Sequence, residues 1–197
     1  YLGNNQNYEV YFTGYIEKCQ QIDDKQQRIT CKEFSAILAA RFPVSLRHPQ
    51  IVDVLNLITE KTGIEFVLEE KDWNNKYIPA VYNTGTGYSL MDFLGAELEI
   101  KKYVWMTLPD GKIYVGSWDG CPLAKAGTLE IPVSFIKELS SVGATVQIVP
   151  KLRPGILLKI GNSEPVYVTG VEPAGSFMRI KFDKSPWSTV FKRTGAA

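Results

Sequence analysis

Between residues 9 and 34 apolar and polar side chains trade places at nearly every step. Val10, Phe12, Gly14 and Ile16 alternate with Glu9, Tyr11, Thr13 and Tyr15, the period of two that turns one face of a strand inward. After the polar run Asp23-Asp24-Lys25 the alternation resumes over Gln27-Arg28-Ile29-Thr30-Cys31-Lys32. Two such runs about a polar turn predict a hairpin with one polar face. Ser35 stands where it can cap a short helix over 36–40, which must end ahead of Pro43.

The period then changes. Pro49 suits a first helical turn, and Ile51, Val54, Leu55 and Ile58 follow at the spacing of one helix face. Lys61 and Gly63 are stop signals. Residues 64–68 read as a strand, 69–76 as a polar loop and 77–82 as a further strand. Gly85-Thr86-Gly87 reads as a flexible turn, and Ser89 with Asp92 resembles a capping box ahead of a helix over 90–97, marked by Leu90, Phe93, Leu94 and Leu98. Residues 102–108 and 112–118, joined through Pro109-Asp110-Gly111, form a hairpin with Asp-Gly as its turn. Beyond it, 131–139 reads as a short helical or looped piece. Four short strands follow over 144–149, 156–160, 166–171 and 177–182, separated by Pro154-Gly155, Gly161-Asn162 and Ala174-Gly175.

These patterns predict an α+β fold. Residues 1–47 hold the first strands of a small antiparallel barrel-like sheet and a short helix. Residues 48–120 form an inserted two-helix α+β domain. Residues 121–197 bring the returning barrel strands and a C-terminal tail. Two tandem domains are the competing layout.

Composition narrows the function. The 197 residues carry 22 Lys+Arg against 21 Asp+Glu, a net charge of +1, and 45% are hydrophobic. That content is too apolar for a disordered chain and too evenly charged for binding a polyanion by bulk charge. No specific nucleic-acid binding is expected, the basic residues Lys151, Arg153, Lys159, Arg179 and Lys181 reading as a solvated barrel face. There is no run of about 18 apolar residues, so no membrane span is expected.

Candidate chemistry is sparse. Cys19, Cys31 and Cys121 make no CxxC pair, which argues against a zinc site. Cys19 and Cys31 flank Lys25 evenly, so a hairpin could bring them face to face, either bonded or as two reduced thiols. The only His, His48, precedes Pro49 with no nucleophile beside it and reads as a loop or cap residue. No phosphate-binding glycine loop, HExxH or GxSxG motif occurs. The pairs Glu69-Glu70 and Asp23-Asp24 lie in polar, turn-like stretches. No catalytic residue, cofactor or metal is assigned. The chain opens Tyr1-Leu2-Gly3, without Met, and is expected to be a section of a longer protein. Of the aromatics, Trp73 and Trp118 at loop or strand ends and Trp187 in the tail are the interface candidates.

Three segments carry a resemblance: Phe12-Thr-Gly-Tyr-Ile-Glu-Lys18 leading to Arg28-Ile-Thr-Cys-Lys32; residues 49–66 with Tyr88-Ser-Leu-Met-Asp-Phe-Leu94 and the hairpin to Tyr114-Val115; and Leu152-Arg-Pro-Gly155 with Ile156-Leu-Leu-Lys159, Tyr167-Val-Thr-Gly-Val171 and Met178-Arg-Ile180. Their order over residues 8–185 resembles the hub, or baseplate hub, proteins of contractile phage tails and the related spike base of type VI secretion systems. That resemblance implies a non-enzymatic structural protein in the virion tail, made in the host cytoplasm. It would form an oligomeric ring, trimeric by likeness, that joins tail tube to spike. Residues 48–120 taken alone also look like the small α+β modules of secretins and outer-membrane receptors, which implies a periplasmic assembly or signalling module instead. A carbohydrate hydrolase would require two carboxylates converging in a cleft.

Overall fold

The computed structural model describes residues 2–4 and 7–185. The chain is α+β; the described residues are mostly strand, with two α-helices and several curled or small sheets. Two compact units divide it: Phe12–Trp118, and the described parts of Tyr1–Tyr11 with Asp119–Ala197. The sequence pattern places its cuts at 47/48 and 120/121; the contacts place them at 11/12 and 118/119.

The chain starts with β1 (Leu2–Asn4) and β2 (Asn7–Glu9), an antiparallel pair. The unit 12–118 then opens with a hairpin of β3 (Gly14–Gln21) and β4 (Gln27–Glu33), which among the described strands pair only with each other. A 3-10 turn over Phe34–Ala39 follows, in which Ser35 is buried and is not the cap. Next come β5 (Val44–Arg47), α1 (Ile51–Thr62), β6 (Phe66–Leu68), β7 (Ala80–Asn83), α2 (Gly87–Glu97), β8 (Tyr103–Thr107) and β9 (Ile113–Ser117). Strands β5 and β7 pair antiparallel, while β6, β9 and β8 form a three-stranded sheet in that order, β6 parallel to β9. Ile51, Val54, Leu55 and Ile58 of α1 meet Leu90, Met91 and Leu94 of α2 and the inner residues Val81, Ile113 and Val115 in one core.

Local chemistry sets the helix ends. The Asp53 carboxylate accepts the Gln50 N–H at 2.8 Å, so α1 begins one residue after its cap and Pro49 lies outside it. Gly63, at φ 73°, ends α1 in the left-handed region, its N–H reaching the Thr59 carbonyl at 2.8 Å. Helix α2 starts three residues before the expected one. Thr86, not Ser89, is its cap, and the Thr86 hydroxyl accepts the Ser89 N–H at 3.2 Å. Asp92 is free of any capping role and accepts the Trp105 indole N–H at 2.9 Å. The 108–112 turn combines a Gly111 N–H bond to the Leu108 carbonyl with φ 91° at Gly111, the three-residue hairpin loop with a glycine bulge.

The second unit is built on a six-stranded sheet of β10 (Thr128–Ile131), β11 (Ile136–Leu139), β12 (Gly143–Gln147), β13 (Leu157–Ile160), β14 (Val166–Ala174) and β15 (Phe177–Asp183). Its order is β10-β13-β14-β15-β12-β11. All pairings are antiparallel except β10 with β13. The two edge strands, β10 and β11, are consecutive in the chain, with only residues 132–135 between them. Flat, the edges of six strands would stand roughly 24 Å apart. Four linking residues reach at most about 17 Å. The sheet must therefore curl into a half-barrel, helped by bulges between Val168 and Gly170 and between Ile136 and Glu138. Its hollow is filled by Ile131, Val146, Leu152, Leu158, Val168, Met178 and Ile180.

Candidate assembly surfaces

Strand pairing decides which residues of the β3–β4 hairpin share a face. Ile16 stands opposite Cys31 and Cys19 opposite Ile29, with Glu17 the extra residue of a bulge. These four therefore line one side of the ladder. The other side carries Tyr15, Lys18, Gln20, Arg28, Thr30 and Lys32. Lys32 and the bulged Glu17 form an ion pair, and that bond raises the Lys32 ammonium above its ordinary value. The apolar side is open to solvent: Ile16 is 63% exposed and Ile29 54%, and Ile22 at the turn is exposed too. Cys19 and Cys31 are both free and exposed. They occupy the expected face but diagonal positions, so each looks at an isoleucine and not at the other thiol. A two-stranded ladder with neither face covered is marginal in water, and no other described strand pairs with its two outer edges.

The half-barrel has a second open feature, at β11. Among the described residues this strand pairs on one side only, with β12. Leu139 pairs with Ala144, which pairs with Ile180. Ile136 likewise continues the row Met178–Val146. Both rows belong to the core side of the sheet, and they run out at its edge. Leu139, on the core face, is consequently 61% exposed, and Val142 beside it 67%. Val133 and Phe135 in the β10–β11 link are exposed as well. On the outer face Glu138, Thr145, Arg179 and Glu172 form a charged row across four strands, next to a cleft of about 740 Å³ that reaches Leu139 and Val142.

The three tryptophans singled out from the sequence fare differently. Trp118 is only 5% exposed, and its backbone N–H donates to the Lys102 carbonyl at 2.8 Å. A ring so enclosed offers little surface. Trp73 is half-buried, packed against the core of unit 12–118. Trp187 lies outside the described residues. The exposed aromatics of that unit are Phe12, Tyr77 and Tyr82, which composition alone could not separate from core rings.

Polar residues considered for chemistry have structural duties. Glu69 accepts the Ser117 N–H at 2.6 Å and its hydroxyl at 3.1 Å, tying the end of β6 to the end of β9. Asp23 accepts the Lys25 N–H at 2.8 Å within the hairpin turn. His48 is exposed in the turn before α1, at φ 48°, with its N–H on the Pro79 carbonyl. Among the described residues, no group of three or more His, Cys, Asp or Glu is placed to hold a metal ion. No helix among them is long and apolar enough to cross a membrane.

No family model matches the chain. A solved structure with the same fold is the prophage MuSo2 43 kDa tail protein from Shewanella oneidensis, at a TM-score of 0.61 and 11% identity, over 91% of this chain and 77% of that one. In sequence, the chain is 25% identical over 169 residues to an uncharacterized 58.7 kDa protein in the lys 3' region of Haemophilus phage HP1. That match takes in 86% of the chain but 32% of the phage protein, so the chain spans about a third of its relative's length. The chain thus shares its fold with a prophage tail protein and a quarter of its aligned residues with a phage-encoded protein.

Proposed function

We propose that this chain is a structural, non-enzymatic section of a phage tail protein, acting in the baseplate hub. There several copies form a closed ring, trimeric by the hub resemblance, between tail tube and spike. The observation that carries the reading is the fold shared with a prophage tail protein over nearly the whole chain. The phage-encoded relative is consistent with it, and so are two open-edged, apolar β surfaces of the kind that oligomers cover. In this reading the working place is the virion tail, after synthesis in the host cytoplasm. Trp73 and Trp187 remain proposed contact residues toward tube or spike proteins. A net charge of +1 suits a ring wall past which DNA must move without being held. The test is direct. Antibodies raised against the purified chain should decorate the baseplate end of virions that contain it, and light scattering should return a discrete oligomer. Label on the capsid, or no label on intact and disrupted tails, would sink the proposal.

A further inference from the structure

We infer that the β3–β4 hairpin of one copy completes the half-barrel of the next, adding its two strands to the free edge of β11. The inference rests on the ring reading above and names the contact that builds it.

Four observations converge. Among the described residues the hairpin pairs with no other strand of its own chain, and its apolar side, Ile16, Cys19, Ile29 and Cys31, is exposed. The half-barrel's inner rows end at Ile136 and at the exposed Leu139. A strand added beside β11 must present apolar residues on that same inner side and polar ones outside. The hairpin is patterned that way, with Lys18, Arg28 and Lys32 on its other face. Size agrees as well. About eight strands close a barrel whose interior side chains just fill, and the sheet has six with a hairpin of two to add.

The occupant is a second copy because both halves of the contact lie on one chain and differ from each other. One surface donates strands and the other accepts them. A contact between unlike patches runs head to tail, and repeated through a rotation it closes a ring.

The native thiols report on this face without any substitution. Cys19 and Cys31 sit within the proposed contact, whereas Cys121 is buried in its own chain. Maleimide labelling of the assembled wild-type protein should proceed at least about tenfold slower at Cys19 and Cys31 than after dissociation by dilution. Two double variants test the geometry, with circular dichroism verifying that each folds. Ile16→Glu with Ile29→Glu removes the donor face, and Leu139→Glu with Val142→Glu removes the acceptor edge. Each alone should be monomeric by light scattering. Mixed one to one they should give a dimer that does not close, because one intact donor still meets one intact acceptor. Labelling of both thiols in the assembly at the free rate, or variants that assemble like wild type, would overturn the hairpin contact and leave the ring reading standing. Variants that stay apart on mixing would overturn it as a head-to-tail contact. A wild-type chain that is monomeric at high concentration would overturn both.

Discussion

Two glycines in the same unit show how a single residue's cost divides. Gly63 and Gly111 both lie at positive φ, 73° and 91°. A Cβ on Gly63 would meet nothing within 4 Å, whereas one on Gly111 would come within 2.8 Å of Thr13 Cγ2. Gly63→Ala should therefore lose about 1 kcal/mol, the cost of placing an L side chain in the left-handed region. Gly111→Ala should lose that and the overlap, roughly 2–3 kcal/mol together. Urea unfolding read by tryptophan fluorescence suits the comparison, since Trp73, Trp105 and Trp118 all belong to unit 12–118; equal losses would refute the overlap. Tyr103 makes a pH prediction. Its hydroxyl donates to the Met91 carbonyl at 2.9 Å, and burial, with the Asp92 charge second, pushes its ionisation far above the ordinary value of 10.0. The unfolded chain gives up this proton first. The contribution is thus whole below pH 10 and is lost as pH rises beyond it. Tyr103→Phe should cost about 1 kcal/mol at neutral pH and flatten the alkaline decline. A decline identical to wild type would show that Tyr103 does not drive it.

At the scale of elements, the sequence was legible where a periodic run was long or a turn was chemically marked. The face Ile51–Val54–Leu55–Ile58 of α1, the 103–117 hairpin and the strands β12 to β15 all stand close to their expected ranges. Short strands whose partners are distant in sequence were not legible. Residues 44–47 follow Pro43 and become β5 only by pairing with β7. Residues 128–131 become β10 by pairing in parallel with β13, and neither segment is long enough to show a period. The start of α2 was misplaced because Gly85-Thr86-Gly87 reads as a turn, although Gly87 is needed where a Cβ would strike Leu38 at 2.9 Å. Thr86→Ala should accordingly cost about 1 kcal/mol of helix capping, visible as a lower urea midpoint, while Asp92→Asn should leave the helix start alone. The candidate surfaces were half legible. Alternation revealed the hairpin, but its exposure depends on what packs nearby, which a local pattern does not record. The same limit hides from the sequence that Trp118 is enclosed. Exposure makes its own prediction: in the dissociated chain the β3–β4 amides should exchange faster than those of β12 and β15, because neither hairpin face is covered. Equal protection would mean that the ladder is held by something other than assembly.

For the whole molecule, the question is which parts carry their own stability. Unit 12–118 is continuous in sequence and has its own core, from Leu38 to Val115. It should fold when produced alone, with one cooperative urea transition. The other unit is discontinuous, because its half-barrel takes a contribution from the far N-terminus. The Arg153 guanidinium donates to the carbonyls of Val10 and Tyr11, at 2.6 Å to the latter. It also stacks on the Tyr11 ring at 5.0 Å, and the Tyr11 hydroxyl reaches back to the Leu152 carbonyl at 3.4 Å. Part of that ring is buried, and burial raises its ionisation against the opposing pull of Arg153. Charge-assisted bonds of this kind are worth about 1.5–3 kcal/mol, a large share of what a small open sheet has to spare. Residues 119–197 alone should thus be less stable than the same residues with 1–11 joined by a short linker in place of unit 12–118. Arg153→Ala in the linked form should remove most of that difference, whereas Lys159→Ala, which breaks only the exposed pair with Glu130, should not. If 119–197 melts at the same temperature with and without residues 1–11, the N-terminal strap is not part of this unit's stability, and unit 12–118 is better described as the middle of three pieces than as an insertion into one.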